Sequence, residues 1–399
     1  MIKEKIFNDT ATAFRLKSDM EINRAVLLFS VMGTPSLIKP GIAITKFALK
    51  AKLPITPIIK NTIFDQFCGG VTIDDCKPVM DQMDEVNLSS ILDYSVEGKK
   101  NEAEFDSAYN VKLELIELAR EESEVPFAIF KPTALGRFKI WHKVSSHVSL
   151  NEKEKEEWER VQQRVEGLCE KAHKLKVRLY ADAEESWMQE AADLLMEKMM
   201  AKFNKDEALI FNTFQCYRWD RLEYIKQLHS KAKEQGFKIG AKIVRGAYME
   251  KENKRARKRG KKSPICISKE ATDVNFNSVM GYCLDHLDDF SVFIGTHNEI
   301  SNYLALQILE DKGIAKDDPR VWFSQLYGMS DQISYNLAAR GYNTAKLVPF
   351  GPIKDVVPYL LRRAEENSSV KGQTSRELNL LKREKERRKK SEDLAQAKA

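Results

Sequence analysis

Apolar residues along this chain keep two different rhythms. Over 1–88 they recur at helical spacing, most clearly in 42–51 and 78–86, with breaks at Pro54, Pro57 and Gly69-Gly70. That pattern predicts helices. From residue 89 onward, short β-branched or apolar runs alternate with longer amphipathic stretches. The runs are SSILDYSV (89–96), FAIFK (127–131), VRLYAD (177–182), ALIFNT (208–213), KIGAKIV (238–244), FSVFIG (290–295), RVWFSQ (320–325) and TAKLVPF (344–350). Helical patterns follow them at 105–120, 156–174, 188–203, 221–235, 275–287, 300–310, 332–339 and 355–366. Alternation of this kind predicts parallel strands joined by right-handed crossovers. Eight such units predict an α/β fold, a (β/α)8 TIM-type barrel. A doubly wound open sheet is the runner-up. It would want a glycine-rich phosphate turn after its first strand, and no G-x-G-x-x-G occurs. The expected organisation is an N-terminal helical segment at 1–88, a barrel at 89–370, and a basic tail at 371–399 that is helical or disordered.

Composition narrows the class. Of 399 residues, 43% are hydrophobic and 31% charged, enough to bury a real core. The longest apolar run, around 25–32, falls far short of the roughly 20 residues a membrane span needs. The N-terminus shows no secretory signal pattern. Six cysteines without a C-x-x-C pair, and six histidines without H-E-x-x-H, make no legible metal site; idle thiols in a reducing compartment are the plainer reading. The net charge of +6 is unevenly placed: 251–262 carries eight basic residues against Glu252, and 376–390 carries eight against three acidic ones. Such runs suit an anionic lipid surface or a nucleic acid. Neither is interleaved with the aromatics that single-strand binders use, so no nucleic-acid partner is expected. A solvated loop and a frayed helical tail account for both runs.

Barrels of this type gather functional groups at the C-terminal ends of their strands. Those ends offer Asp93 and Tyr94; Lys131; Asp182 with Ala183, Glu184 and Glu185; Asn212, Thr213 and Gln215; Arg245, Gly246, Ala247 and Tyr248; Thr296, His297 and Asn298; and Gln325 and Tyr327. Polar groups from seven strands on one rim fit an active site, although strand ends meet water and carry some polarity in any barrel. In the last helical stretch, Tyr359, Arg362, Arg363 and Glu366 share one face at i, i+3, i+4 and i+7. Two arginines beside a tyrosine suit a carboxylate or phosphate, because guanidinium is a planar two-pronged donor. An Arg362–Glu366 pair on a solvated face explains the same spacing, and the pattern leaves both open. Lys131 either snorkels from its strand or adds a third cation to such a clamp. Asp182, Glu184 and Glu185 could bind magnesium, act as a base or pair with those cations. Too few carboxylates stand at the other strand ends to favour magnesium. His297 is either an acid–base group or a structural hydrogen bonder.

Several of these strings resemble the proline dehydrogenase family, flavin-dependent barrels that oxidise L-proline. They are ILDYSVE (91–97), Lys131 with its strand, ADAEE (181–185), FNTFQCY (211–217), KIVRGAY (242–248), GTHN (295–298) and VPFGPIKDVVPYLLRRAEENS (348–368). They run in order across about 89–370, and their spelling is closer to the monofunctional, mitochondrial-type branch than to the barrel of bifunctional bacterial enzymes. The resemblance implies FAD as cofactor and oxidation of L-proline to Δ1-pyrroline-5-carboxylate, with hydride passing from ring C5 to flavin N5. It implies that Lys131, Arg362 and Arg363 clamp the substrate carboxylate, that Tyr359 packs over the ring, and that Asp182 holds clamp and rim in place. Ala183, Gln215, Lys242, Arg245, Gly246, Ala247, Thr296, His297 and Glu366 would contact FAD, with Asp182 and Lys242 acting at the catalytic centre. Cations preplaced at Lys242 and Arg245 stabilise the negative charge that a flavin gains on reduction.

The implied partners are L-proline, a membrane quinone as electron acceptor, a peripheral membrane surface, and a separate pyrroline-5-carboxylate dehydrogenase, since a fused aldehyde dehydrogenase domain is not expected in this length. The implied location is the cytoplasmic side of a membrane, or the mitochondrial inner membrane in a eukaryotic cell. One position departs from the family pattern. Leu347, in the last strand, stands where the family commonly places a tyrosine against the substrate ring, and the branch that prefers 4-hydroxyproline also changes this position. A leucine wall leaves an added hydroxyl unpaired, which penalises it, so proline is the expected substrate and 4-hydroxyproline the alternative. A metal-dependent barrel lyase and a nucleic-acid binder on a barrel scaffold are more remote readings.

Overall fold

The computed structural model describes residues 5–51, 53–95, 101–369 and 373–396. Side chains are described throughout these except at 35, 37–39, 46, 47, 49, 50, 363–369, 373, 374, 395 and 396. Eight strands follow one another: β1 (Ser89–Tyr94), β2 (Phe127–Phe130), β3 (Arg178–Ala181), β4 (Ile210–Gln215), β5 (Ile239–Val244), β6 (Phe290–Gly295), β7 (Val321–Leu326) and β8 (Thr344–Phe350). They form one sheet in the order β1-β8-β7-β6-β5-β4-β3-β2, with its registered pairs parallel. Helices alternate with them, giving the expected α/β TIM-type barrel. The strands read as apolar runs because both faces are covered: every residue of β2, β4 and β8 is buried. Helix ends carry local signals. Asn151 and Glu154 form a reciprocal capping box at the start of Glu152–Leu175, and Gly236, with φ +65°, ends Arg221–Gln235 in the left-handed region.

The chain divides into two compact units. One comprises Met1–Glu97, His297–Glu299 and Gln325–Ala399. Its core is a cluster drawn from the N-terminal helices (Phe14, Ile22, Phe29, Phe64, Phe67), the helix Ile353–Ser369 (Val356, Tyr359, Leu360) and the helix Gln373–Gln396 (Leu380, Leu381). The tail helix therefore buries one stripe, through Leu380 and Leu381, while most of its described side chains stay exposed. Arg388 fastens it further: its guanidinium donates to the carbonyls of Phe14 and Lys17 at 2.9 and 2.8 Å and reaches Asp19 at 2.9 Å.

The other unit comprises Gly98–Thr296 and Ile300–Ser324. Its interior is aromatic. Phe127 on β2 meets Tyr180, Phe211, Phe293 and Trp322, with ring centroids 5.0–6.0 Å apart, so side chains from five strands plug the barrel. The basic stretch expected as a loop begins within a helix, Met249–Lys258. Its first turn holds Glu250 and Glu252 and its last turn Arg255, Arg257 and Lys258, the arrangement the helix dipole favours. The buried Glu252 carboxylate accepts the Ser186 N–H and hydroxyl, both at 2.6 Å. Arg255 lies 4.4 Å over the Trp187 ring.

Candidate functional site

The densest polar cluster in the second unit stands where β2, β3 and β5 end. Lys242 is the fourth residue of β5, paired in register with Thr213 on β4 and Phe293 on β6. Its ammonium lies 3.7 Å from the Tyr180 ring centroid and 5.6 Å from that of Phe293. The aromatic plug therefore gives the lysine a cation–π floor. From there Nζ donates to Asp182 Oδ1 at 2.6 Å. Asp182 is the first residue past β3, and its N–H still bonds the Phe130 carbonyl of β2, which fixes its position. Its second oxygen lies 3.9 Å from Lys131 Nζ. Two ammonium groups thus share one carboxylate, and the Glu184 carboxyl also feels the charge of Lys131. Cations fixed in place in this way suit an anionic ligand.

Around this triad the backbone is stitched. Glu184 is buried; its carboxylate accepts the Thr133 N–H at 2.9 Å and the Thr133 hydroxyl at 2.7 Å, tying the turn after Lys131 to the loop after Asp182. Burial pushes the Glu184 carboxyl up to about 7 against the pull of the Thr133 bonds. Gln215, at the end of β4, donates to the Glu184 carbonyl at 2.7 Å, and Thr213 donates to the Ala181 carbonyl at 2.6 Å. Ala183 is half-buried between them in the chain.

Arg245 follows β5, and its guanidinium is spread over three partners: Asp273 at 2.7 Å, the Thr296 hydroxyl at 2.6 Å and the Ser301 hydroxyl at 2.9 Å. It also lies 4.4 Å over the Phe276 ring. Burial disfavours the Asp273 carboxylate, yet hydrogen bonds from Lys269 and Arg245 hold it below the usual carboxylate range. Gly246 has φ +118°, and a Cβ there would stand 2.2 Å from the Tyr217 ring. Only glycine makes this turn. Gly246 and Ala247 are exposed and Thr296 is buried. The donors collected here are two cations, a hydroxyl and an amide at the ends of β4, β5 and β6. That set suits a ligand rich in carbonyl and phosphate oxygens.

In the first unit, His297 Nδ1 lies 2.9 Å from the Ser330 hydroxyl, and the Leu326 N–H approaches Nε2 at 3.5 Å. Leu347 is buried on β8, and its carbonyl accepts the Tyr327 N–H at 2.9 Å. Tyr359 is buried in the hydrophobic cluster of the N-terminal helices, while Arg362, three residues on, is half-buried. The side chains of Arg363 and Glu366 lie outside the described residues, although both positions belong to the helix Ile353–Ser369. The structure thus brings together Lys131, Asp182 and Lys242 in one group, and Arg245 and Thr296 in another. Sequence reasoning gave Glu184 no firm role and passed over Asp273 and Ser301. The N-terminal capping spacing of Ser268 ahead of Ala271 marks only the helix that carries Asp273. Among the described residues, no three histidine, cysteine or acidic side chains cluster in a way that would hold a metal ion.

Comparison with known proteins gives the family and the fold. Residues 76–376 match the family model described as proline dehydrogenase. The chain is 35% identical over 319 residues to a carbapenem antibiotics biosynthesis protein of Pectobacterium carotovorum subsp. carotovorum, covering 80% of this chain and 82% of that one. It is 29% identical over 413 residues to hydroxyproline dehydrogenase of Xenopus laevis, covering 94% and 88%. It is 41% identical over 235 residues to proline dehydrogenase 1, mitochondrial, of Homo sapiens, covering 58% and 39%. Among solved structures, proline utilization A from Bdellovibrio bacteriovorus matches with a TM-score of 0.69 at 21% identity, over 92% of this chain and 36% of that one. That last likeness speaks for the fold, and this chain spans about a third of the solved chain.

Proposed function

The chain belongs to the proline dehydrogenase family of oxidoreductases, and from that premise we propose that it oxidises L-proline to Δ1-pyrroline-5-carboxylate with FAD as cofactor. The donor set fits FAD: Lys242, Arg245, Thr296 and Gln215 offer cations and neutral donors to ring carbonyls and a diphosphate, and the strained turn at Gly246 exposes backbone beside them. With them, Ala183, Ala247, His297 and Glu366 would hold the cofactor. FAD, when bound, supplies the two-electron oxidant.

The chain's own residues do the rest. Lys131, Arg362 and Arg363 take the proline carboxylate, and Tyr359 and Leu347 give apolar contact to the ring. Asp182 keeps Lys131 and Lys242 aimed and charged; their 3.9 and 2.6 Å contacts are the observation that carries this reading. An anion arriving beside these lysines gains from cations already held in place.

The test is an absorbance spectrum of the purified chain with FAD, before and after L-proline in the absence of oxygen. Flavin bands that bleach with L-proline bear the proposal out. Bleaching only with 4-hydroxyproline moves the assignment to the activity named for the Xenopus relative, with Leu347 as the residue to change first. A chain that takes up no FAD overturns the proposal.

The electrons would pass to a membrane quinone, and a separate pyrroline-5-carboxylate dehydrogenase would take the product. Among the described residues no helix is long and apolar enough to cross a membrane, so contact with a membrane, the mitochondrial inner membrane in a eukaryote, would be peripheral. The stretch 249–262 supports that role. It is strongly cationic, and Trp219 beside Lys262 and the nearby Ile267 are exposed apolar groups. Each basic residue near an anionic surface contributes about 1 kcal/mol. Flotation with anionic vesicles should therefore be lost when Lys258, Arg259, Lys261 and Lys262 are each changed to Glu; unchanged flotation removes this surface from the account.

A further inference from the structure

The three residues after Thr296 behave differently from their chain neighbours. His297–Glu299 cluster with the first unit, while the residues on both sides cluster with the second. What they bind there explains it. The helix Gln373–Gln396 sends out two adjacent side chains. Glu377 is buried, and its Oε1 accepts the backbone N–H of Ser330 at 2.9 Å. The Ser330 hydroxyl in turn pairs with His297 Nδ1 at 2.9 Å. Arg376 reaches Glu299 at 3.0 Å with Nε, and its other nitrogen holds Asn8 Oδ1 at 2.6 Å. Gln332 donates to the same Glu299 oxygen at 3.2 Å. The turn is therefore gripped at its first residue through Ser330 and at its third directly.

Ser330 itself is held in an unusual shape. Its φ of +52° and ψ of +41° lie in the left-handed region, which a serine adopts at a cost unless surrounding bonds impose it. Its carbonyl accepts the Ile333 and Ser334 N–H at 2.9 and 3.3 Å, its N–H is held by Glu377 and its hydroxyl by His297. Removing the Glu377 bond loosens the N–H side of the residue, from which the hydroxyl takes its aim.

We propose that Glu377 is a positioning residue for His297, acting through Ser330, so that the C-terminal helix sets how well the cofactor site is formed. The proposal rests on the reading that His297 contacts FAD, and it adds a residue outside every string that resembles the family. Glu377 touches neither substrate nor cofactor, so its effect belongs to affinity for FAD and not to chemistry.

The experiment measures FAD binding to the full chain stripped of flavin, by flavin fluorescence, with a thermal melt of each variant beside it. Glu377→Ala and Ser330→Ala should each raise the FAD Kd about tenfold. The double variant should be no weaker than the worse single, because both act on one path. Glu377→Gln keeps an acceptor for the Ser330 N–H and should stay within about twofold of the wild type. Arg387→Ala, on an exposed part of the same helix, should change nothing. Wild-type affinity in folded Ser330→Ala or Glu377→Ala overturns the proposal, as does a double variant whose losses multiply. If Glu377→Ala does not fold, Ser330→Ala and Glu377→Gln decide alone. A wild-type chain that binds no FAD fails the cofactor reading itself, which the variant comparison distinguishes from failure of this one.

Discussion

Asp182 and Asp331, one in each compact unit, each stand between two lysines. Asp182 lies 2.6 Å from Lys242 and 3.9 Å from Lys131. Asp331 lies 2.8 Å from Lys346 and 3.3 Å from Lys17. The chemistry is the same and the access to water is not. The contrast lies in the aspartates: Asp182 keeps 19% of its side-chain exposure and Asp331 5%, while the lysines keep 19% and 7% at the first site and 22% and 1% at the second. Burial disfavours the Asp331 charge, but Lys346 and Lys17 outweigh it and hold its pKa down at about 2. The Lys346 ammonium is further fastened to the carbonyls of Met329 and Leu326, and a second carboxylate, Glu377, feels both members of the pair. The buried triad is fastened on every side by its own protein. The other keeps its aspartate partly open to water, where a ligand can reach it.

The sharpest way to break that comparison is to remove each carboxylate. Asp331→Ala takes from the buried Lys346 its nearest carboxylate, leaving only two carbonyls and the field of Glu377, and should destabilise the fold by about 3 kcal/mol. Urea unfolding measures it; a loss below about 1 kcal/mol would mean the sealed triad fastens nothing. The next effect comes from Glu184, whose pKa is raised by burial from 4.5 to about 7. Between those values the folded chain keeps a proton that the unfolded chain has released. Stability is therefore highest below pH 4.5, as far as this group is concerned, and falls as pH rises to about 7, by roughly 3 kcal/mol in all. Glu184→Gln cannot titrate and keeps partners for both Thr133 groups. The difference in unfolding free energy between variant and wild type should therefore grow in the variant's favour from pH 5 to 7. A constant difference would assign Glu184 an ordinary pKa.

The strands are legible in the sequence because a barrel covers both of their faces. FAIFK and TAKLVPF lose the polar alternation of a half-exposed strand, and they coincide with β2 and β8. The rim is legible for a related reason, since Lys131, Asp182 and Arg245 are the first charges after apolar runs. What stays hidden depends on partners distant in sequence. Helix Met249–Lys258 is so basic that local reading favours a solvated loop; it is held by Glu252 on Ser186 and Arg255 on Trp187. Leu380 and Leu381 look like weak spacing in a charged tail until the N-terminal helices bury them. The grip of Glu184 on Thr133, and of Glu377 on Ser330, leaves no local trace because neither bond follows a helical or strand period.

Changing Asp182 separates function from fold. In Asp182→Asn the two lysines lose their shared anion; Lys131 keeps 19% of its side-chain exposure but Lys242 only 7%, so the stability change should be about 1–3 kcal/mol, below that at Asp331. Turnover should suffer as well. Without the carboxylate, Lys131 and Lys242 are no longer aimed, and kcat/KM for L-proline should fall about 100-fold, near 2.7 kcal/mol of transition-state stabilisation. Steady-state kinetics and a urea melt on the same preparation decide it. A large loss of stability with intact kcat/KM would make the open triad a structural element like the sealed one.

The smallest contrast lies in the outer lysines, which hold their aspartates at the longer distances. Lys17 is 22% exposed and 3.3 Å from Asp331; Lys131 is 19% exposed and 3.9 Å from Asp182. By exposure and distance the two should matter about equally to the fold, each about 1 kcal/mol or less when changed to Met. They should part only when substrate is present. Lys17→Met has no ligand to lose and should leave the KM for L-proline unchanged. Lys131→Met removes one cation from the proposed carboxylate clamp and should raise KM about tenfold, close to 1.4 kcal/mol. Added salt sharpens the contrast: raising ionic strength screens charge pairs that water reaches, so the wild-type KM should climb more steeply than that of Lys131→Met, which has one cation fewer. Equal KM values for the two variants would show that Lys131, like Lys17, serves only its aspartate.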